Sequence, residues 1–267
     1  MDINQFYSDE NEKPLDRLVS DGGFTAIFRT IGIIGDSLAS GELESYTKEG
    51  FRGYHDFYEY SWGQFMARTL GSTVYNFSRG GMTAKEFFET WGEEHGVFGT
   101  DKLCQAYIIA LGVNDSCRFD ELGDVDTAIK ENPSAEKNNG FLNYYAGIVK
   151  RIKVKQPKAK FFFVTIPSTT YRPPELREKQ SVWCEGLRAL AERLDNAYVI
   201  DLRKYAPLYD EKMVATFFMG HMRPTGYLLT AKMMMSYIDY IIRNNPDDFA
   251  EVGFIGTPYS YYENKKD

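Results

Sequence analysis

Thr30-Ile31-Gly32-Ile33-Ile34-Gly35-Asp36-Ser37-Leu38 is an apolar run of strand length that stops at a glycine, an acid and a hydroxyl residue. Consecutive rather than alternating apolar residues mark a strand covered on both faces. The pattern recurs: similar runs lie at 73–77, 106–111, 160–166 and 198–202. Segments with apolar residues three and four apart, at 60–70, 84–91, 141–155 and 180–194, separate them, and 225–243 follows the last. Such alternation predicts parallel strands joined by right-handed helical crossovers, hence a three-layer α/β/α, doubly wound sheet. Sites in that architecture form beyond the carboxyl ends of the strands, so the residues that end each run carry the functional information.

The surrounding sequence narrows the class. The chain has 267 residues, with 31 Lys plus Arg against 38 Asp plus Glu and a formal charge of −7. An acidic chain without basic runs lacks the electrostatic footprint of a nucleic-acid or anionic-membrane binder. The apolar runs, 30–34 and 161–166 among them, fall far short of the ~20 residues that a spanning helix needs. The acidic start has no apolar stretch behind a basic one, so it does not read as a secretory signal. Cys104, Cys117 and Cys184 are too few and too scattered for a disulfide framework or zinc site, which points to a reducing, cytoplasmic setting. Neither metal nor cofactor is expected. Gly32-Ile33-Ile34-Gly35 in particular lacks the three-glycine spacing that fits a pyrophosphate. With no repeat and no linker, one domain over 1–267 is expected, its core at about 24–243 and a C-terminal arm at 244–267. The arm carries Val252, Phe254, Ile255 and the tyrosines Tyr259, Tyr261 and Tyr262, to pack over the core or against a second subunit.

Four blocks stand at the expected positions. Gly35-Asp36-Ser37 ends the first run, Ser78-Arg79-Gly80-Gly81 follows the second, Gly112-Val113-Asn114-Asp115 follows the third, and His221 precedes Pro224 at the entrance of the last helix. One such tripeptide is a weak signal, whereas four in order at strand ends are not. Together they resemble the SGNH (GDSL) hydrolase superfamily, from about residue 31 to 243. The resemblance implies a flavodoxin-like, five-stranded parallel sheet and a serine esterase or acylhydrolase. Ser37 would be the nucleophile, His221 its base, and the Ser37 and Gly81 amides with the Asn114 side chain an oxyanion hole.

Each assignment has a plainer counterpart. Asp36 or Ser37 could cap a helix, Gly80-Gly81 could be a simple turn, and Asn114 could staple its own loop. A serine hydroxyl is a poor nucleophile without a neighbouring base, so the reading requires a histidine within hydrogen-bond reach. Of the three histidines, His95 lies in a polar loop, while His55, in the aromatic and charged stretch 54–60, is a candidate for the pocket mouth. Gly80 and Arg172 are further pocket candidates, and the polar insertion 117–140 and the segment 171–174 are expected to shape the leaving-group side.

One position departs from the family pattern. An Asp usually stands three residues before the histidine, and here that residue is Phe218, with Glu211 and Asp210 the nearest upstream carboxylates. The spacing therefore predicts a main-chain carbonyl of Phe217, Phe218 or Met219 at the far imidazole nitrogen. Two functions follow: a serine esterase acting on a short-chain ester, with an acetylated carbohydrate favoured by the resemblance, or a noncatalytic or weakly active ligand-binding relative that lacks the acid.

Overall fold

The computed structural model describes residues 3–7, 9–134 and 139–261. Nine strands occur among them in chain order: β1 Thr30–Gly35, β2 Glu42–Tyr46, β3 Arg52–Asp56, β4 Thr73–Asn76, β5 Ala106–Ala110, β6 Lys160–Val164, β7 Ala197–Ile200, β8 Phe218–Met219 and β9 His221–Met222. Five form the central sheet in the order β4-β1-β5-β6-β7, every pair parallel. This is the flavodoxin-like doubly wound order expected, and the sheet strands begin and end within two residues of the runs in the sequence.

The pleat divides the strand side chains between two cores. Phe162 faces one side with Ile31, Ile33, Trp62, Tyr227 and Met234, where the helices Trp62–Leu70 and Pro224–Asn244 pack. Phe161 and Phe163 face the other with Ile34, Tyr145 and Trp183, beneath the helices Phe141–Lys155 and Pro174–Ala191. Gly32 accommodates the Tyr107 ring, which a Cβ there would strike.

In the terminal arm, Phe249, Val252 and Ile255 are buried in the first core, so this part covers its own domain. Tyr262 and the charged tail lie outside the described residues. The 117–140 insertion differs from expectation: its helix Val125–Lys130 packs Ala128 into the second core, and none of its described residues lines the cavity at the sheet edge. No helix among the described residues is long and apolar enough to cross a membrane.

The feature absent from the strand-and-helix reading is the antiparallel hairpin β2–β3, which follows directly on the first strand-end block. Its opposed pairs Glu42↔Asp56, Glu44↔Tyr54 and Tyr46↔Arg52 share one face, and Leu43↔His55 and Ser45↔Gly53 the other. The second small hairpin, β8–β9, turns at Gly220 with φ +73°.

Candidate active site

The direction of the crossovers changes between β1 and β5, and the loops beyond those strands open a crevice there. Gly35↔Ala110 is the last register pair, so Asp36-Ser37 and the 111–114 segment emerge side by side. Ser37 begins the short helix Ser37–Ser40, capped by Asp36, whose carboxylate accepts from the Leu38 amide at 2.9 Å. The cap at Asp36 and a place for Ser37 on the cavity wall thus coexist. Asp36 also accepts from Asn114 Nδ2 at 3.2 Å, and burial pushes its pKa up to about 6.

His221 comes from the β8–β9 hairpin, and Ser37 Oγ lies 2.9 Å from its Nε2. On the other nitrogen the sequence expectation fails: Nδ1 meets no carbonyl of the 217–219 turn but Glu44 Oε1, at 2.6 Å. Neither Asp210 nor Glu211 supplies the acid; Asp210 caps the helix Glu211–Phe217, accepting from the Met213 amide at 2.8 Å. The physical reason is the pleat of β2. Period-two alternation puts Glu42, Glu44 and Tyr46 on one face, and that face is turned onto His221. Gly220 makes the approach possible, since a Cβ there would collide with the Glu44 carboxylate.

Glu44 is well supported. Tyr46 Oη donates to its Oε2 at 2.8 Å, and Arg52 Nε lies 3.0 Å from the same oxygen. Burial by itself raises the carboxyl's pKa, but the hydrogen bonds from His221 and Tyr46 and the charges of His221 and Arg52 outweigh it and hold Glu44 below the ordinary range. The Tyr54 ring stands edge-on to the imidazole with centroids 5.9 Å apart. The Tyr227 hydroxyl, from the last helix, reaches the main-chain carbonyls of Ser37 at 3.2 Å and Glu42 at 2.8 Å, tying the serine helix to the hairpin.

The alternation that brings Glu44 in removes His55. His55 points from the opposite face, where its Nε2 pairs with Ser45 Oγ at 2.8 Å, and it does not line the cavity. Gly80 also lies outside the cavity lining; it abuts the Glu42 carboxylate, which a side chain at that position would displace. Gly81, at φ +73°, is in the loop after β4, its carbonyl accepting from Arg118 Nη1 at 2.9 Å. Asn114 does line the cavity with Ser37 and His221, and its Nδ2 donates to Asp36 and to the Met82 carbonyl, each at 3.2 Å. Arg172 sits at the cavity as expected.

The cavity itself encloses about 320 Å³. Its polar end holds Ser37, Asn114 and His221, and it runs inward between Val164, Leu202, Phe218, Met222 and Met234. Phe218, three residues before His221, is therefore part of an apolar wall.

A doubly wound α/β/α sheet with these residues at its switch point defines the SGNH class of fold. The chain belongs to the GDSL-like lipase/acylhydrolase family, matching it over residues 33–229, and is by that membership an ester-bond hydrolase. Solved structures with a similar fold include a G-D-S-L family protein from Desulfitobacterium hafniense DCB-2, with 15% identity and a TM-score of 0.53 over 78% of this chain and 99% of that one. A family two carbohydrate esterase from Clostridium thermocellum, solved with cellohexaose, has 17% identity and a TM-score of 0.57, covering 89% of this chain and 66% of that one. The corresponding enzyme plus carbohydrate binding domain from Corynascus thermopiles has 17% identity and a TM-score of 0.55, over 84% and 67%. At these identities the likeness is one of fold. No curated protein matches the sequence.

Proposed function

We propose that the chain is a serine esterase that cleaves a short-chain acyl ester, with an acetylated carbohydrate as the favoured substrate, through a covalent acyl-enzyme on Ser37. The observation that carries this is the continuous line Ser37 Oγ, His221 and Glu44, with contacts of 2.9 and 2.6 Å. With Nδ1–H donated to Glu44, Nε2 presents its lone pair to the serine hydroxyl. The Ser37 proton passes to Nε2 as Oγ bonds to the acyl carbon, and the imidazolium gives that proton to the leaving alkoxide. Water, deprotonated by the same nitrogen, then releases the acid.

The negative charge on the acyl oxygen would be met by the Ser37 and Gly81 amides and by Asn114 Nδ2. The Ser37 amide opens its helix, where N–H groups have no partner one turn back. The Asn114 bonds are long, so exchanging the Met82 carbonyl for an oxyanion costs little. The modest cavity, at the lower end of the ~300–1,000 Å³ range of small-molecule sites, suits a short acyl group better than a long lipid chain. For carbohydrate, the support is the presence of family two carbohydrate esterases among the fold's neighbours and the exposed aromatics Tyr46, Tyr54, Tyr58 and Tyr60 around the hairpin, which offer stacking faces. The binding-only alternative drew on a missing acid, and Glu44 removes that motive.

A fluorophosphonate should label Ser37, located by peptide mass spectrometry, and acetylated sugars should be turned over faster than long-chain nitrophenyl esters. An unmodified Ser37 after prolonged exposure would overturn the mechanism; preference for long chains would overturn the substrate assignment alone.

A further inference from the structure

A second carboxylate touches the reactive face of the imidazole. Glu42 Oε1 lies 3.0 Å from His221 Nε2, beside Ser37 Oγ at 2.9 Å on the same nitrogen. The position is built. Glu42 opens β2 opposite Asp56, its carbonyl accepts from Tyr227, and its carboxylate rests against Gly80. We propose that Glu42 sets the lower pH limit at which Ser37 has a base, by sharing a proton with Nε2. The inference rests on Ser37 and His221 being nucleophile and base.

The argument is one of lone pairs. When Nδ1–H is given to Glu44, Nε2 has a single lone pair, and a bare carboxylate oxygen at 3.0 Å from it is repelled. The contact is favourable when one proton lies between the two atoms. Whether that proton belongs formally to Glu42 or to Nε2, the lone pair is committed and Ser37 cannot use it. Activity therefore begins where the shared proton leaves.

The surroundings all bear on this proton. From β2 come Glu42 and Glu44; from β3 come Tyr54, Asp56 and Arg52, the last paired with Glu44 rather than Glu42; from the β1 loop comes Asp36. Burial, and the negative charges of Asp56 and Glu44, push the Glu42 carboxyl above its ordinary value against the pull of His221. The neighbouring acids favour keeping the proton, and the one guanidinium that would oppose them is paired with Glu44.

Once it has left, ionised Glu42 acts in the opposite sense. As the Ser37 O–H bond breaks and Nε2–H forms, the new imidazolium lies between two carboxylates. The proton then goes to the leaving alkoxide, and Glu42 ends as it began. Removing its charge should lower the pH at which activity appears and also reduce the alkaline plateau.

The test compares Glu42→Gln and Glu42→Ala with the unaltered protein. The acidic limb of kcat/KM should move down by about one pH unit or more, since a charge at this distance commonly shifts a titration by that much. The plateau should fall by roughly tenfold or less, as expected of a weaker base. A merely structural role would lower the plateau without moving the limb. In parallel, ring-labelled His221 is titrated by NMR, assigned against His221→Ala, which reads the shared proton without turnover. A His221 titration that moves down in both variants supports the proposal even if no ester is cleaved, an outcome that would instead defeat the hydrolase reading. Active, correctly folded variants whose limb and His221 titration coincide with those of the unaltered protein would overturn it.

Discussion

The site is assembled from two regions built on different rules. At the sheet edge, Ser37 and Asn114 are fixed by where β1 and β5 stop, and their positions follow from strand periodicity alone. In the hairpin, Glu44 is fixed by the register of two short strands whose inward face is polar and charged. The first region is common to the architecture. The second decides whether the histidine has a partner, and its Glu44 lies seven positions beyond the serine.

The same contrast appears in how each region treats a buried acid. At the sheet edge Asp115 accepts from the Ala84 amide at 2.8 Å, its other oxygen is buried without a partner among the described residues, and burial raises its pKa to about 7. In the hairpin Glu44 has His221, Tyr46 and Arg52 and is held ionised. Burial prevails at Asp115, whereas at Glu44 the imidazole, tyrosine and guanidinium outweigh it.

The largest expected effect breaks the hairpin's part. Glu44→Gln should lower kcat by about 10⁴, because the amide can present N–H to Nδ1 and place the imidazole in the wrong tautomer. Thermal unfolding should show the variant folded. At the sheet edge, Asn114→Ala should lower kcat by roughly 10²–10³ with KM little changed, as for the loss of one oxyanion donor. A rise in KM at constant kcat would place Asn114 in ground-state binding.

A smaller effect is on stability. A carboxyl whose pKa is raised on folding stabilises the fold fully below its unfolded value and loses that contribution as pH rises through the folded one. For Asp115 that window runs from about 4 to about 7. Asp115→Asn should therefore flatten the decline in Tm between pH 4 and 7, and an unchanged slope would show that Asp115 is not the group responsible. The smallest effect sharpens the alternation itself: His55→Ala, on the outward face of the hairpin, should leave kcat/KM within about twofold of its starting value.

The sequence disclosed the sheet because buried parallel strands write themselves as apolar runs, and it disclosed Ser37, Asn114 and His221 because each stands at the end or entrance of such an element. Glu44 left a fainter trace. Glu42-Leu43-Glu44-Ser45-Tyr46 alternates, as do Arg52-Gly53-Tyr54-His55-Asp56, with Lys48-Glu49-Gly50 as the turn between them. A polar alternation ordinarily signals a solvent-facing strand, and only the docking of β9 onto this face inverts that reading. His55, a candidate for the pocket mouth from its aromatic and charged neighbours, shares this hairpin, but the pleat puts it on the opposite face, against Ser45.

Whether Glu44 works through His221 is most directly measured by a double-mutant cycle in kcat/KM between Glu44→Gln and His221→Ala. If the carboxylate acts only by orienting and charging the imidazole, the large cost of Glu44→Gln disappears once the ring is gone, and the double variant should match His221→Ala within about threefold. If Glu44→Gln costs the same factor with and without His221, the two act independently and the assembled triad is contradicted.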